Sequence, residues 1–185
     1  MVENEIGAVC PLRLEPTAGD KPGALVWRTA EAADAAEIAR AIEDWWGGVH
    51  LSHFVQPQFL EHFGDSSLLV HDGPRLIAFL VGILSQRHPN EAYVHFMGVH
   101  PAYRGRGLGR ELYRRFAALA REHGRTVLRA ETGSFNGASI AFHTRLGFAM
   151  EPGDATVDGI PVHRDTVGLG HDYVMFTMVL SDRRL

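Results

Sequence analysis

The run Val99-His100-Pro101-Ala102-Tyr103-Arg104-Gly105-Arg106-Gly107-Leu108-Gly109 constrains this chain more than any other. An apolar stretch that reads as a strand feeds a turn holding three glycines, and a stretch with helical spacing follows. Glycines lack a Cβ, so their N–H groups can approach an anion closely. The first turn of the following helix adds unpaired N–H donors and the positive end of the helix dipole. Arg104 and Arg106 add charge able to chelate phosphate oxygens. A glycine turn that only caps a helix, flanked by solvated arginines, reads the same. A dinucleotide site also opens on strand, glycines and helix, with an acid at the end of the next strand, a spacing that Glu131 meets.

The remaining pattern places that turn inside an alternation of elements. Apolar runs predict strands over 24–28, 67–71, 75–84, 92–99, 126–131 and 173–180, with another starting at Phe148. Helical signals cover 30–42, 58–63, 107–123 and 139–146. Thr29 is a candidate N-cap for the first helix and Pro57 opens the second. Gly47-Gly48, Gly64, Gly124 and Gly147 end the four helices in turn. Leu108, Leu112, Phe116, Leu119 and Ala120 share one face of the third. Asp72-Gly73-Pro74 and His88-Pro89-Asn90 are turns. Gly82, inside a long apolar strand, marks a bulge or a close approach. Residues 1–23 read as a loosely ordered leader broken by Pro11, Pro16 and Pro22, with a short candidate strand over 9–14, and 24–185 as the domain. Residues 152–172, rich in Gly and Asp, form a long connection. The order is that of an α/β, or α+β, domain on a mixed sheet.

Composition narrows the partners. With 185 residues, the chain is one domain or one domain and a tail. A net charge of −4, from 18 basic and 22 acidic residues, argues against a nucleic-acid partner, since phosphate backbones reward cationic surfaces. The one cysteine, Cys10, rules out an internal disulfide framework and a Cys-rich zinc site. No apolar run approaches the ~20 residues of a membrane span, and no cationic leader precedes an apolar core, so the expectation is a cytoplasmic protein without a membrane partner. His50 and His53 have helical metal spacing without an evident third ligand, and no metal is expected.

Arg104-Gly105-Arg106-Gly107-Leu108-Gly109 resembles the acetyl-CoA-binding signature of the GCN5-related N-acetyltransferases, Gln/Arg-x-x-Gly-x-Gly/Ala. The segment from Asn136 to Phe148, Asn-Gly-Ala-Ser-Ile-Ala-Phe-His-Thr-Arg-Leu-Gly-Phe, resembles that family's Asn-x-x-(Ala/Ser)-Ile-x-(Leu/Phe)-Tyr-x-x-Leu-Gly-Phe. Glu131 stands where many members carry a Glu at the end of the fifth strand. Val26 to Ala30, followed by Asp34 and Ile38, resembles the usual opening strand and helix. The resemblance covers roughly residues 24–180. It implies a mixed, mostly antiparallel sheet of about seven strands with about four helices, the fourth and fifth strands splayed. It also implies an enzyme that moves the acetyl group of acetyl-CoA to a primary amine of a small molecule or peptide by direct attack in a ternary complex. A non-catalytic acyl-CoA-binding or sensor module on the same fold stays open, as does a nucleotide-binding oxidoreductase.

Carried over residue by residue, the resemblance assigns the backbone of Met97 and Val99 to the pantetheine arm. The diphosphate goes to the amides of Arg104, Gly105, Arg106, Gly107, Leu108 and Gly109. Asn136 is expected to bond the pantetheine and Phe142 to pack near the thiol end. Where the family usually has a Tyr that protonates the departing thiolate, this chain has His143. A His starts from a pKa of ~6.5, but can donate through one ring nitrogen or only pack. Glu131 and His95 are the candidate bases, His95 sharing the strand parity of Tyr93, Met97 and Val99 if no bulge intervenes. The acceptor side falls to Glu43, Asp44, Trp45, Trp46, His50, His53 and Phe54, where acids beside aromatic rings suit a cationic amine. The connection over 153–171 is expected to cover the site or to serve a homodimer.

Overall fold

The computed structural model describes residues 24–46, 51–166, 168 and 170–180. The leader over 1–23, its candidate strand and the Gly47-Gly48 stop lie outside the described residues. Nine strands are described: β1 (Leu25–Thr29), β2 (Leu68–Asp72), β3 (Arg75–Leu84), β4 (Glu91–Val99), β5 (Val127–Gly133), β6 (Ala149–Met150), β7 (Ala155–Val157), β8 (Ile160–Val162) and β9 (Tyr173–Val179). Seven of them form one sheet in the order β1-β2-β3-β4-β5-β9-β6. All neighbours are antiparallel except β4 and β5, which run parallel. A parallel pair needs a crossover; in this chain it is α3 (Leu108–Glu122). Helices α1 (Ala35–Trp45) and α2 (Pro57–Phe63) cover one face, against Leu69, Leu76, Phe79 and Val81. Helix α3 and α4 (Gly137–Leu146) cover the other, where Leu112, Phe116 and Ala120 are buried as their spacing predicts.

Three local readings are corrected. Thr29 does not cap the first helix; it pairs with Leu68 as the last residue of β1. A 3-10 turn over Ala32–Asp34 leads into α1, and its entry is a capping box of Glu31 and Asp34, with the Glu31 N–H donating to Asp34 at 2.7 Å. Arg28 on β1 grips the same carboxylate with two bonds of 2.7 Å, which ties the helix start to the sheet edge. The connection over 152–172 contains the hairpin β7–β8, whose tip Asp158-Gly159 has positive φ at both residues (50° and 80°), the geometry that an Asp-Gly hairpin favours. Helix α4 begins two residues before 139, because the Asn136 side chain accepts the Ser139 N–H at 3.1 Å as its N-cap.

The feature that shapes the rest is a β-bulge at His95. Val81 pairs with Phe96 and Gly82 with Val94, so His95 is an extra residue in β4. Gly82 stands opposite: a Cβ there would lie 2.4 Å from the Phe116 ring and 2.6 Å from the Ser66 carbonyl. Strand β2 has not yet begun beside Gly82, and two buried hydroxyls replace its ladder bonds. Ser66 Oγ donates to the Gly82 carbonyl at 2.6 Å, and the Gly82 N–H donates to Ser67 Oγ at 3.2 Å. The bulge reverses parity along β4. Ala92, Val94, Met97 and Val99 face α3 and α4, whereas Phe96 packs with α1 and α2. The shared parity expected of His95, Met97 and Val99 is therefore corrected.

Gly98, the next residue facing α1, has no room for a side chain: a Cβ there would sit 2.7 Å from the Phe79 ring and 3.2 Å from Trp45. Gly98→Ala is expected to force α1 off the end of β4 and to destabilise the protein by about 1–3 kcal/mol. Thermal unfolding should record that as a Tm lower by several degrees; an unchanged Tm would show that the Trp45 contact is not tight in solution.

Candidate active site

Beyond the pair Val94 and Ala130, β4 and β5 no longer hydrogen-bond. β4 continues to Val99 while β5 turns to its β9 partner as far as Gly133. The His100 N–H donates to Ile77 on β3 at 2.8 Å. By strand alternation, Met97 and Val99 then present their N–H and C=O groups to the opposite edge, where β5 has diverged. An open edge of this kind accepts an extended ligand as if it were a strand.

The glycine turn lies at the end of that edge. Gly105 and Gly107 both have positive φ (74° and 83°), and a Cβ on either would meet nothing within 4 Å. The turn is therefore bare backbone facing open space. Gly107 is the N-cap of α3, and the first helical bond runs from Glu111 N–H to Gly107 O at 3.0 Å. The N–H groups of Leu108, Gly109 and Arg110 thus precede the helix's own acceptors, as in any first turn. Gly109 has a different reason to be glycine. A Cβ there would lie 3.0 Å from Phe142 and 3.8 Å from the Met97 methyl, so its absence lets α4 close on the turn beside the open edge.

Arg104, expected at the phosphates, and Asn136, expected at the pantetheine, are both engaged within the protein. Arg104 is corrected: its Nε donates to the Val99 carbonyl and its Nη2 to the Trp45 carbonyl, each at 3.1 Å. The guanidinium caps the carbonyl end of α1, where a cation is favoured, and fastens that helix to the end of β4. Asn136 spends its side-chain oxygen on the α4 cap. Arg106 instead lies over the Tyr103 ring at 4.9 Å, exposed beside the turn, while the Tyr103 hydroxyl donates to Asp72 at 2.6 Å.

On the α1–α2 face, the vertex of the splay gathers titratable groups among aromatic rings. Glu131 is one residue past the last β4–β5 pair and Tyr93 one before it on the facing strand, so the Tyr93 hydroxyl faces the Glu131 carboxylate as a donor. Burial pushes the Glu131 pKa above the usual carboxylate value, and the Tyr93 bond pulls it partly back. His95 stacks on Phe59 at 5.3 Å and lies 4.2 Å from Phe96. Burial lowers its pKa, although a bond to the Phe54 backbone opposes this. Trp46 leans on Phe96 at 5.7 Å, and His53 on Phe54 at 4.2 Å. Of the acceptor-side expectations, Trp46, His53 and Phe54 join this wall. Trp45 does not; it packs on Phe79 and His100 at 5.6 and 5.4 Å. Asp44 is exposed on α1, and His50 lies outside the described residues. Sequence reading missed Tyr93, Phe96 and Phe59; the cluster Tyr93-Val94-His95-Phe96 around a candidate base was the available signal. Among the described residues, no group of three or more His, Cys, Asp or Glu is placed to hold a metal ion.

His143 is placed in the core, with 5% exposure, rather than at a ligand-facing surface. Its ring stacks on Phe176 at 4.7 Å and meets Tyr113, Phe142 and Phe148 edge-on. Nδ1 lies 2.8 Å from the Ser139 carbonyl, which can only accept, so Nδ1 carries the proton. Nε2 then accepts from the Tyr113 hydroxyl at 2.7 Å. Burial holds Tyr113 well above the usual phenol range and His143 below the usual imidazole value. Both ring nitrogens are thus engaged within the protein, and the expectation that His143 presents a proton to a thioester is corrected.

The family model described as "Acetyltransferase (GNAT) family" matches residues 30–148, and the chain belongs to that family. It is 29% identical over 122 residues to an L-2,4-diaminobutyric acid acetyltransferase of Nocardia farcinica, covering 66% of this chain and 63% of that protein. It is 43% identical over 56 residues to the L-amino acid N-acyltransferase MnaT of Escherichia coli, covering 30% of this chain and 33% of that one. The matched stretches span between a third and two thirds of the first curated relatives' lengths. Ard1 from Thermoplasma volcanium superposes with a TM-score of 0.69 at 17% identity, over 84% of this chain and 97% of that one. The yncA structure from Salmonella typhimurium, solved with its cofactor acetyl-CoA, gives 0.59 at 21% identity, over 88% and 97%. These likenesses establish the fold: a mixed seven-stranded sheet with four α-helices among the described residues.

His143→Phe keeps the ring and strands the buried Tyr113 hydroxyl, at a cost of about 1–3 kcal/mol. We expect a Tm lower by several degrees and turnover, measured well below that Tm, within a few-fold of the parent. Unchanged Tm with a hundredfold loss of kcat would reinstate the acid role. The depressed folded-state pKa also fixes a sign. The unfolded chain binds the proton more readily, so this contribution to stability is full above the unfolded His value of ~6.5 and is lost as pH falls from there toward the folded value. The parent's Tm should drop across that window more than the variant's.

Proposed function

We propose that this protein is an N-acetyltransferase that moves the acetyl group of acetyl-CoA to a primary amine by direct attack in a ternary complex. The observation that supports it best is the divergence of β4 from β5 beyond Val94 and Ala130, with bare glycine backbone at one end of the gap and a half-buried carboxylate at its vertex. Acetyl-CoA fits this arrangement: the N–H and C=O of Met97 and the N–H of Val99, whose carbonyl Arg104 holds, suit an amide-bearing arm, and the amides of residues 105–110 suit a diphosphate. Arg106, exposed beside the turn, supplies a cation for those phosphates; Arg104 acts by holding α1 to the end of β4. Bound there, acetyl-CoA supplies a thioester carbonyl to be attacked.

The acceptor approaches from the α1–α2 face. An alkylamine with a pKa of ~10.4 arrives protonated and must lose a proton before it can attack. Glu131 is assigned as the base that takes it, because a carboxylate both attracts the ammonium and accepts its proton, and burial raises its pKa toward working pH. His95, kept neutral by burial, lines the wall with Phe59 and Phe96 and gives no such attraction. No side chain is assigned as the acid: a thiol near ~8.5 departs readily and takes its proton from water. The relatives named for diaminobutyrate and L-amino acids make small free amines the first acceptors to try. No helix among the described residues is long and apolar enough to cross a membrane.

A thiol-release assay with acetyl-CoA and a panel of amino acids, polyamines and peptide N-termini tests the reading. Amine-dependent release is expected for at least one class. Tight acetyl-CoA binding without release across the panel would favour a sensor. Glu131→Gln should lower kcat/KM for the amine by about 10²–10⁴-fold while calorimetry finds acetyl-CoA binding unchanged; a variant with normal turnover would remove Glu131 from the chemistry.

A further inference from the structure

Tyr93 has no counterpart among the residues that the signatures single out, yet it stands at the most constrained point of the site. The strands pair through Tyr93 with Arg129 and Val94 with Ala130, and then part. Tyr93 is therefore one register step below the vertex and Glu131 one step above it. Ala92, Val94, Leu128 and Ala130 point to the α3–α4 side, so Tyr93 and Glu131 share the opposite face, and the phenol reaches across the vertex to the carboxylate. The bulge at His95 sets this up. It comes right after Val94, two residues past Tyr93, so His95 and Phe96 lie on the same side as Tyr93, and His95 comes within 6.1 Å of the Tyr93 ring.

We propose that Tyr93 is a positioning residue for the acceptor-side base: its hydroxyl fixes one Glu131 oxygen across the vertex of the β4–β5 splay and leaves the other to receive the proton of the acceptor amine. This rests on the assignment of Glu131 as base. Burial, then the neighbouring Glu131 charge, push the Tyr93 pKa far above the usual phenol value, so Tyr93 remains a donor throughout the working range. The other groups around Glu131 do not replace it. Arg129, two residues back on the same face, is taken by Glu91 at 3.0 Å and by Glu151 on the far side. Tyr173 on β9 feels the Glu131 charge, and that of Asp165, and has its own pKa raised, chiefly by burial. His95 is held neutral. The bond that offsets burial of the carboxylate is the one from Tyr93.

Tyr93→Phe removes only the hydroxyl. Losing a hydrogen bond to a charged group should raise the Glu131 pKa by about one unit or more. The acid limb of the kcat/KM profile for the amine, at saturating acetyl-CoA, should move to higher pH by the same amount. The loss would be about tenfold below the limb and would vanish at alkaline pH. Carboxyl-carbon NMR of Glu131 in parent and variant reads the same shift without activity. If both move together, the inference stands. If Glu131→Gln abolishes turnover but Tyr93→Phe leaves both the NMR titration and the limb in place, Tyr93 is packing only and the inference falls while the base survives. If the NMR titration moves and the limb does not, Glu131 is not the group that limits turnover, and the inference falls with the base. Should Tyr93→Phe fail to fold, Tyr93→Met, of similar bulk and without a donor, carries the same two readouts.

Discussion

One extra residue in β4 governs the site. Without the bulge at His95, β4 would continue in register between β3 and β5, and the sheet would have no gap. With it, Met97 and Val99 turn their side chains to the α3–α4 core and their backbone to the open edge, while Phe96 goes to the acceptor wall. The bulge is held from behind. Gly82 admits the Phe116 ring, and the hydroxyls of Ser66 and Ser67 close the backbone groups that β2 cannot reach. Leaving those groups unpaired in the core would cost several kcal/mol between them, so the two serines are as much a part of the site as the residues that line it.

The two ends of the gap are mechanically joined. Arg104 links the glycine turn to the last turn of α1 through the Val99 and Trp45 carbonyls, and Gly98 lets Trp45 approach the strand closely. The face that meets the acceptor and the turn that suits the diphosphate are thus braced by one guanidinium. The opposite face is braced by a neutral pair, His143 and Tyr113, buried among Phe142, Phe148 and Phe176. A buried polar pair of this kind is costly to break, and its satisfied geometry keeps α3 and α4 in one relative position.

Much of this was legible in the chain. The strand–glycine–helix order and the apolar face of α3 placed the turn, and the 139–146 signal placed α4 to within two residues of its start, because each is encoded within a dozen neighbouring residues; the open edge followed only from the family resemblance. What escaped depends on partners far away in sequence. Arg104 looks like a phosphate ligand until the Trp45 carbonyl, 59 residues earlier, comes within reach. His143 looks like the family's tyrosine until Tyr113 supplies the hydroxyl that occupies its Nε2. The parity of β4 could not be read past Val94, because an extra residue reverses every side chain after it and Gly82 signalled only that some irregularity was present. The Asp158-Gly159 hairpin was readable and was absorbed into a long connection.

Amide hydrogen exchange with and without acetyl-CoA tests most directly whether the cofactor docks as an added strand in the gap. The amides of Met97 and Val99 and those of the turn over residues 105–110 should slow markedly on binding, while those of β1 and β2 at the far edge keep their rates. Calorimetric binding of acetyl-CoA with no protection at Met97, Val99 or the glycine turn would contradict the placement, and with it the role of the bulge in opening the gap.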